Sequence, residues 1–314
     1  MEYRKIISFG NSSFVISLPK PWLEKHGLKK GDTLYLQVNN RDIVLHPREG
    51  TPEKSEIHTE IDAKDMDMEI LERKLVASYI NNADKITVRT KEMTKKAKDI
   101  KNVIQSLVAM EVVEQTTNSI VVKSFLNIKD VDIVNIMRKT DHIIATMFNA
   151  LVEVAESNGK QSLEISESIN QRDDDVNKLC FLIFRAINHK LRHGTPDDTS
   201  SQMLQYWGMA FFLEETADEL KRIGRLLAKC KSPMCEGDYV SILQETKENY
   251  KNAMKAFYTD NKELTYDVAK RRNPLLAKCD TLLENNMKDP LMVALMDNSK
   301  DMVAKIHNIN RMSY

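Results

Sequence analysis

No stretch of this sequence approaches the run of about 18 apolar residues that a membrane-spanning helix needs. Even Cys180-Phe-Leu-Ile-Phe184, among the most apolar short segments, belongs in a buried helix. The opening Met1-Glu-Tyr-Arg-Lys5 has no apolar signal-peptide region, so the expectation is a cytoplasmic protein without membrane insertion. Cysteine is scarce: the four, at 180, 230, 235 and 279, form no C-x-x-C pair and have no histidines at zinc spacing. That argues against a zinc site and predicts reduced, structural thiols. There is no phosphate-binding Walker loop, no nucleophile elbow and no acid–base pair, so no enzyme is expected. Net charge is lacking too, with 46 basic residues against 46 acidic ones.

What is present is unevenly arranged. The 314 residues suffice for two or three domains, and 42% apolar content supplies ordinary cores. At the N-terminus, Tyr3–Phe9 and Phe14–Leu18 read as strands separated by the turn-forming Gly10-Asn-Ser-Ser13. Pro19 ends the second strand, Pro21 opens a short helix to His26, and Gly27 closes it. Leu34–Val38 and Asp42–His46 flank Asn39-Asn40, read as a two-residue hairpin turn.

About fifty residues with one two-turn helix lie near the limit of independent stability. The unit therefore implies a dimer, or docking onto the rest of the chain. The string from Gly10 to Asp32, with Ser-Leu-Pro-Lys-Pro-Trp and Gly-Leu-Lys-Lys-Gly-Asp, resembles the AbrB/SpoVT swapped-hairpin DNA-binding domain over about residues 2–48. The resemblance implies a β-barrel built from two chains that exchange hairpins, with DNA as partner and Arg4, Lys5, Ser12, Ser13 and Lys20 as contacts. Members of that family also serve as antitoxins. Residues 1–50 hold eight basic against five acidic groups, so the positive excess of a neutral chain lies in this module. Dimerisation doubles it, and phosphate contacts supply most sequence-independent affinity. Lys25, Lys29 and Lys30 read as solvated surface.

Residues 51–57 are polar and read as a linker, after which strands and helices alternate. Strands are expected at 57–61 and 85–89, helices at 68–81 and 94–110, and a hairpin over 112–125 turning near Asn118. Ile70, Leu71, Leu75, Tyr79 and Ile80 share one side of the first helix. This is a small α/β domain without a nucleotide loop or catalytic constellation.

From Val131 onward the periodicity is helical, as in Ile133, Ile136, Met137, Ile143, Ile144, Met147, Phe148 and Leu151. Further helices are expected over roughly 161–192, 199–230, 238–259, 262–287 and 290–312. Breaks fall at Asn158-Gly159, His193 to Pro196, Ser232-Pro233 and Asp289-Pro290. An internal repeat sets Gln171–Leu179 against Lys270–Leu276 and Leu213–Asp218 against Met296–Asp301, dividing six helices into three and three. His142, His189, His193 and His307 share no short spacing and read as surface or helix-end residues. The sixteen methionines read mostly as core.

The six helices resemble PhoU, the phosphate-uptake regulator, across about 128–314. Joined to the N-terminal module, they resemble the mainly archaeal group of AbrB–PhoU fusions. PhoU-type domains carry an acid-x-x-x-acid motif that binds metal clusters. Residues i and i+4 share a helix face, where like charges repel by a few tenths of a kcal/mol until a multivalent cation or a basic partner reverses the penalty. Here Glu214/Asp218 and Asp297/Asp301 keep the motif, Asp173 pairs with Asn177, and Asn273/Ala277 has lost both acids beside Pro274, which should disturb its helix. Asp173, Asn177, Glu214 and Asp218 are thus candidate oxygen ligands for a divalent or iron-type metal ion, with Asp297 and Asp301 in the second repeat. Acidic i,i+4 pairs on a solvated helix are the plainer alternative.

The whole reads as a multidomain α+β chain. Its domains are 1–50 (swapped-hairpin β-barrel, dimeric), 51–127 (α/β linker domain) and 128–314 (PhoU-like pair of three-helix bundles, repeats about 128–232 and 233–314). Two functions fit: a homodimeric DNA-binding regulator of phosphate uptake, or an adaptor contacting a phosphate transporter's cytoplasmic subunit or a sensor protein.

Overall fold

A computed structural model of the chain describes residues 3–10, 13–38, 43–47, 56–156, 162–193, 200–229 and 237–314. Two compact units emerge, Met1–Glu56 and Ile57–Tyr314.

In the first unit, β1 (Ile7–Phe9) and β2 (Ser13–Val15) form an antiparallel hairpin entered through Gly10 at φ +72°. These ladders are shorter than the strands expected at 3–9 and 14–18, because among the described residues no further strand pairs with the outer positions. Helix α1 (Lys20–Lys25) starts behind Pro19, holds Pro21 in its first turn, and ends at Gly27 with φ +66°. The Leu28 amide donates to the Leu23 carbonyl at 2.9 Å, the reversal that a left-handed glycine permits at a helix end. Strands β3 (Tyr35–Val38) and β4 (Ile43–His46) pair antiparallel, Val38 opposite Ile43. The expected hairpin turn at Asn39-Asn40 falls between these two strands in the sequence. The turn residues themselves lie outside the described residues, as do 51–55 of the expected linker.

The two hairpins form separate two-stranded sheets. Ile7, Phe9, Phe14, Ile16, Leu36, Val38 and Ile43 are all more than half exposed. Among the residues of this unit whose exposure is described, none is buried.

The second unit begins with a four-stranded sheet in the order β5-β6-β8-β7, from β5 (His58–Asp62), β6 (Lys85–Arg89), β7 (Met110–Gln115) and β8 (Ser119–Ser124). β5 runs parallel to β6 through the crossover helix α2 (Met68–Ile80), and the other pairings are antiparallel. Helix α3 (Met93–Gln105) stops five residues before the expected Met110. The Ser106 and Leu107 amides bond back to Val103 and Ile104, and Ala109 at φ +57° turns the chain into β7. On α2 the buried line is Leu71, Leu75 and Tyr79. Ile70, one position and so about 100° away from it, is 48% exposed rather than part of that face.

Six long helices follow: α4 (Ile133–Glu156), α5 (Ser162–His193), α6 (Ser200–Leu227), α7 (Asp238–Thr259), α8 (Lys262–Asn285) and α9 (Pro290–Arg311). α4, α5 and α6 pack mutually, as do α7, α8 and α9; α6 against α9 and α4 against α7 join the halves. One core runs through both, and Met137, Met147, Met203, Met209, Met292 and Met296 lie within it. Pro274 lies inside α8 without ending it, contrary to the disturbance expected. Its neighbours on both sides hold the helix through a break worth about 3 kcal/mol in isolation. Residues 157–161, 194–199 and 230–236, including Cys230 and Cys235, lie outside the described residues, and so do several expected breaks.

The α/β layer and the helices share this second unit. Arg185, Asn188 and Arg192, on one face of α5, reach the carbonyl end of α2: Arg185 Nη1 donates to the carbonyls of Tyr79 (2.8 Å) and Ala83 (3.1 Å), Asn188 to Ile80 (3.0 Å), Arg192 to Asn81 (3.0 Å). A helix C-terminus leaves its last carbonyls without partners and carries partial negative charge, so donors and cations suit it. His189, between them on α5, is buried rather than at the surface or a helix end.

Candidate functional site

Arg4 and Lys5 precede β1 and are exposed; Ser13 opens β2, and Ser12 lies outside the described residues. Lys20 is the first residue of α1, its side chain 86% exposed, with Glu24 one turn on at 3.7 Å. So open an ion pair contributes little.

The acidic candidates behave differently. α5 and α6 bring Asp173, Asn177, Glu214 and Asp218 together, with Lys221 between them. The Lys221 ammonium donates to Asp173 Oδ2 at 2.6 Å and contacts Asp218 Oδ1 at 2.5 Å. Asn177 Nδ2 reaches the same Asp173 oxygen at 3.4 Å, and Arg222 holds the other Asp218 oxygen at 3.0 Å. Asp173 is 3% exposed. Burial pushes its carboxyl up, against the hydrogen bond and charge of Lys221. Burial also acts to raise Asp218, but Lys221, Arg222 and Lys305 outweigh it and hold that carboxyl below its ordinary value. Glu214, half-buried and beside Asp218, Glu215 and Asp173, is pushed up, by burial first and by those charges second.

A resident metal does not fit this donor set. Lys221 stands where a cation would bridge Asp173 and Asp218, Asn177 turns its amide nitrogen rather than its oxygen toward Asp173, and among the described residues no three acidic, histidine or cysteine groups converge. Asp297 and Asp301 are exposed on α9. The basic-partner alternative is the one realised. The clue was legible: Lys221 lies three residues after Asp218 and seven after Glu214, on the same helix face.

A second charged layer joins the two halves. Glu219, wholly buried, meets Arg222 Nη1 at 3.2 Å and Lys305 of α9 at 3.9 Å, while Lys305 reaches Glu215 at 2.7 Å. Glu219 Oε1 has no hydrogen-bond partner, and burial pushes the carboxyl up. Cys180 and Cys279 are free and buried, which pushes both thiols up, Cys279 to about 11, so both stay protonated.

Residues 137–227 match the PhoU domain. That match begins in α4 and ends with α6, so it spans the half containing Asp173, Asp218 and Lys221. Residues 7–57 match antidote-toxin recognition MazE, bacterial antitoxin. The chain thus joins a MazE/AbrB-type segment to a PhoU domain, and the multidomain α+β architecture agrees with both. Neither is an enzyme family. No curated protein matches the chain. Among the described residues no helix is long and apolar enough to cross a membrane.

Proposed function

We propose that the protein is a homodimeric, cytoplasmic DNA-binding regulator of phosphate uptake, its PhoU-like helices sensing phosphate status or a partner protein. The observation that carries this reading is that the N-terminal unit shows no core among its described residues. Seven large apolar side chains on two separate hairpins face solvent in a single chain. Burying such side chains contributes about 1.5–3 kcal/mol each, so a second copy exchanging hairpins supplies what one chain lacks. Pairing two copies also doubles the basic excess of residues 1–50, with Arg4, Lys5, Ser12, Ser13 and Lys20 as the DNA contacts. The MazE and PhoU matches support a regulator over an enzyme.

The test is retention of genomic fragments by the full-length protein at near-physiological salt, followed by sequencing. Enrichment upstream of phosphate-transport genes is expected. Arg4, Lys5 and Lys20 replaced together by alanine should weaken binding at all sequences and flatten its salt dependence. No retention at all would overturn the reading in favour of an adaptor on a phosphate transporter's cytoplasmic subunit.

A further inference from the structure

Where α4 meets α7, at the seam between the two three-helix halves, lies an open cleft of about 550 Å³. Ligand sites of small molecules fall in the range of roughly 300–1,000 Å³. Its rim is strongly one-signed. Arg138 and His142 stand one turn apart on α4; Lys247, Lys251 and Lys255 stand one turn apart on α7. Against these the lining holds one carboxylate, Asp141, already engaged by the Tyr250 hydroxyl at 2.8 Å. Among the described residues Lys247 and Lys255 form no ion pair, and Lys251 has only Glu248 at 3.9 Å. In a chain of zero net charge, four fixed positive groups facing one cleft against the single lining carboxylate of Asp141 are a local excess of positive charge.

Two further features point inward. The Arg138 guanidinium lies 4.1 Å from the Tyr258 ring centroid, which holds its charge over the cleft wall. The Tyr258 hydroxyl is buried and makes no hydrogen bond. A buried hydroxyl left unpaired carries a desolvation penalty, and burial keeps this one protonated as a donor. An acceptor oxygen entering the cleft would remove that penalty.

We propose that this cleft binds a small anion carrying several phosphate groups in a row, of the pyrophosphate or triphosphate class. Lys247 and Lys255 are eight residues apart, about 12 Å along the helix. Cations spread over that length suit a linear phosphate chain better than a single tetrahedral ion, which needs its donors around one point. The proposal deepens the sensing role assigned above to the helical half and rests on that reading for its regulatory meaning, though not for binding itself.

The experiment is calorimetric titration of the full-length protein with orthophosphate, pyrophosphate and triphosphate at physiological salt. Triphosphate is expected to bind saturably, one per chain, at least tenfold more tightly than orthophosphate. Lys251→Ala with Lys255→Ala should weaken it at least tenfold, and Tyr258→Phe several-fold. Lys91→Ala with Lys98→Ala, an equal charge change just before and on α3, should leave it unchanged. Equal, weak binding of all three anions, or binding untouched by the cleft substitutions, would overturn the site. Loss of genomic-fragment binding in the cleft variant, without any triphosphate binding in the parent, would assign the patch to nucleic acid and overturn it as well. Triphosphate binding that depends on the cleft yet leaves fragment retention unaltered would establish the site while removing the sensing reading.

Discussion

The Lys221 ammonium of α6 donates to the buried Asp173 carboxylate of α5 at 2.6 Å, and the same nitrogen contacts Asp218. One side chain thereby bridges two acids from two helices, the service a bridging cation would otherwise render. Lys221→Ala leaves the buried Asp173 facing Asp218 with no cation between them, Arg222 remaining only on the far Asp218 oxygen. Its expected effect is a loss of about 2 kcal/mol, below the full buried-pair value because Lys221 keeps 18% exposure. The expected readout is a melting temperature lowered by roughly 5 °C. Manganese or magnesium should restore much of it in the variant and leave the parent unmoved, with elemental analysis showing metal in the variant alone. A parent protein stabilised equally by these ions would refute the exclusion of metal.

Arg185 is 1% exposed; it donates to the Tyr79 and Ala83 carbonyls and the Ser124 hydroxyl and lies over the face of the Tyr79 ring, with the Asp84 charge acting on it as well. Burial pushes the Tyr79 phenol up to about 12, with Arg185 pulling against it, so the ring stays neutral. Arg185→Ala strands the carbonyls at the end of α2 and should cost about 2 kcal/mol or more. Hydrogen exchange should show the gain in opening concentrated in α2 and β6, where the sheet leans on the helices.

Glu219 makes stability depend on pH in a direction set by burial. Its folded carboxyl is raised above the ordinary value of 4.5, so the folded state holds a proton that the unfolded chain has already released. Stability from this group is therefore full below that ordinary value and is lost as pH rises through the folded one. Asp218, held below 3.8, does the opposite: its contribution is present above that value and lost as pH falls through the lower one. Glu219→Gln should accordingly look better relative to the parent at about pH 7.5 than at about pH 5 in urea denaturation. A difference independent of pH would contradict the assignment.

Phe14 is 75% exposed in a single chain. If a second copy covers it, Phe14→Asp should shift the protein from dimer to monomer in sedimentation velocity and abolish fragment retention. The circular dichroism of the long helices should barely change, since they lie in the other unit. A variant that stays dimeric would place the dimer contact elsewhere.

The six helices were legible because an apolar stripe at 3.6-residue spacing runs for twenty residues or more along each. The α/β order was legible for the same reason at shorter range, except where periodicity alone had to choose an end: α3 stops at Gln105 because a left-handed Ala109 turns the chain, which no pattern announces. The hairpin register at Val38 and Ile43 likewise depends on backbone pairing between strands that residue identities only suggest. The acids at 173, 214 and 218 were visible as a motif, and the sequence alone determined that they would share a charged face. What neutralises them was decided in three dimensions. Lys221 reaches Asp173 from another helix, forty-eight positions along the chain, and Arg185 caps a helix end more than a hundred residues away. Local periodicity determines which face of an element is apolar, because that face follows from bond geometry within a few residues. Which charge meets which depends on how those faces close against one another, and only the packed chain holds that information.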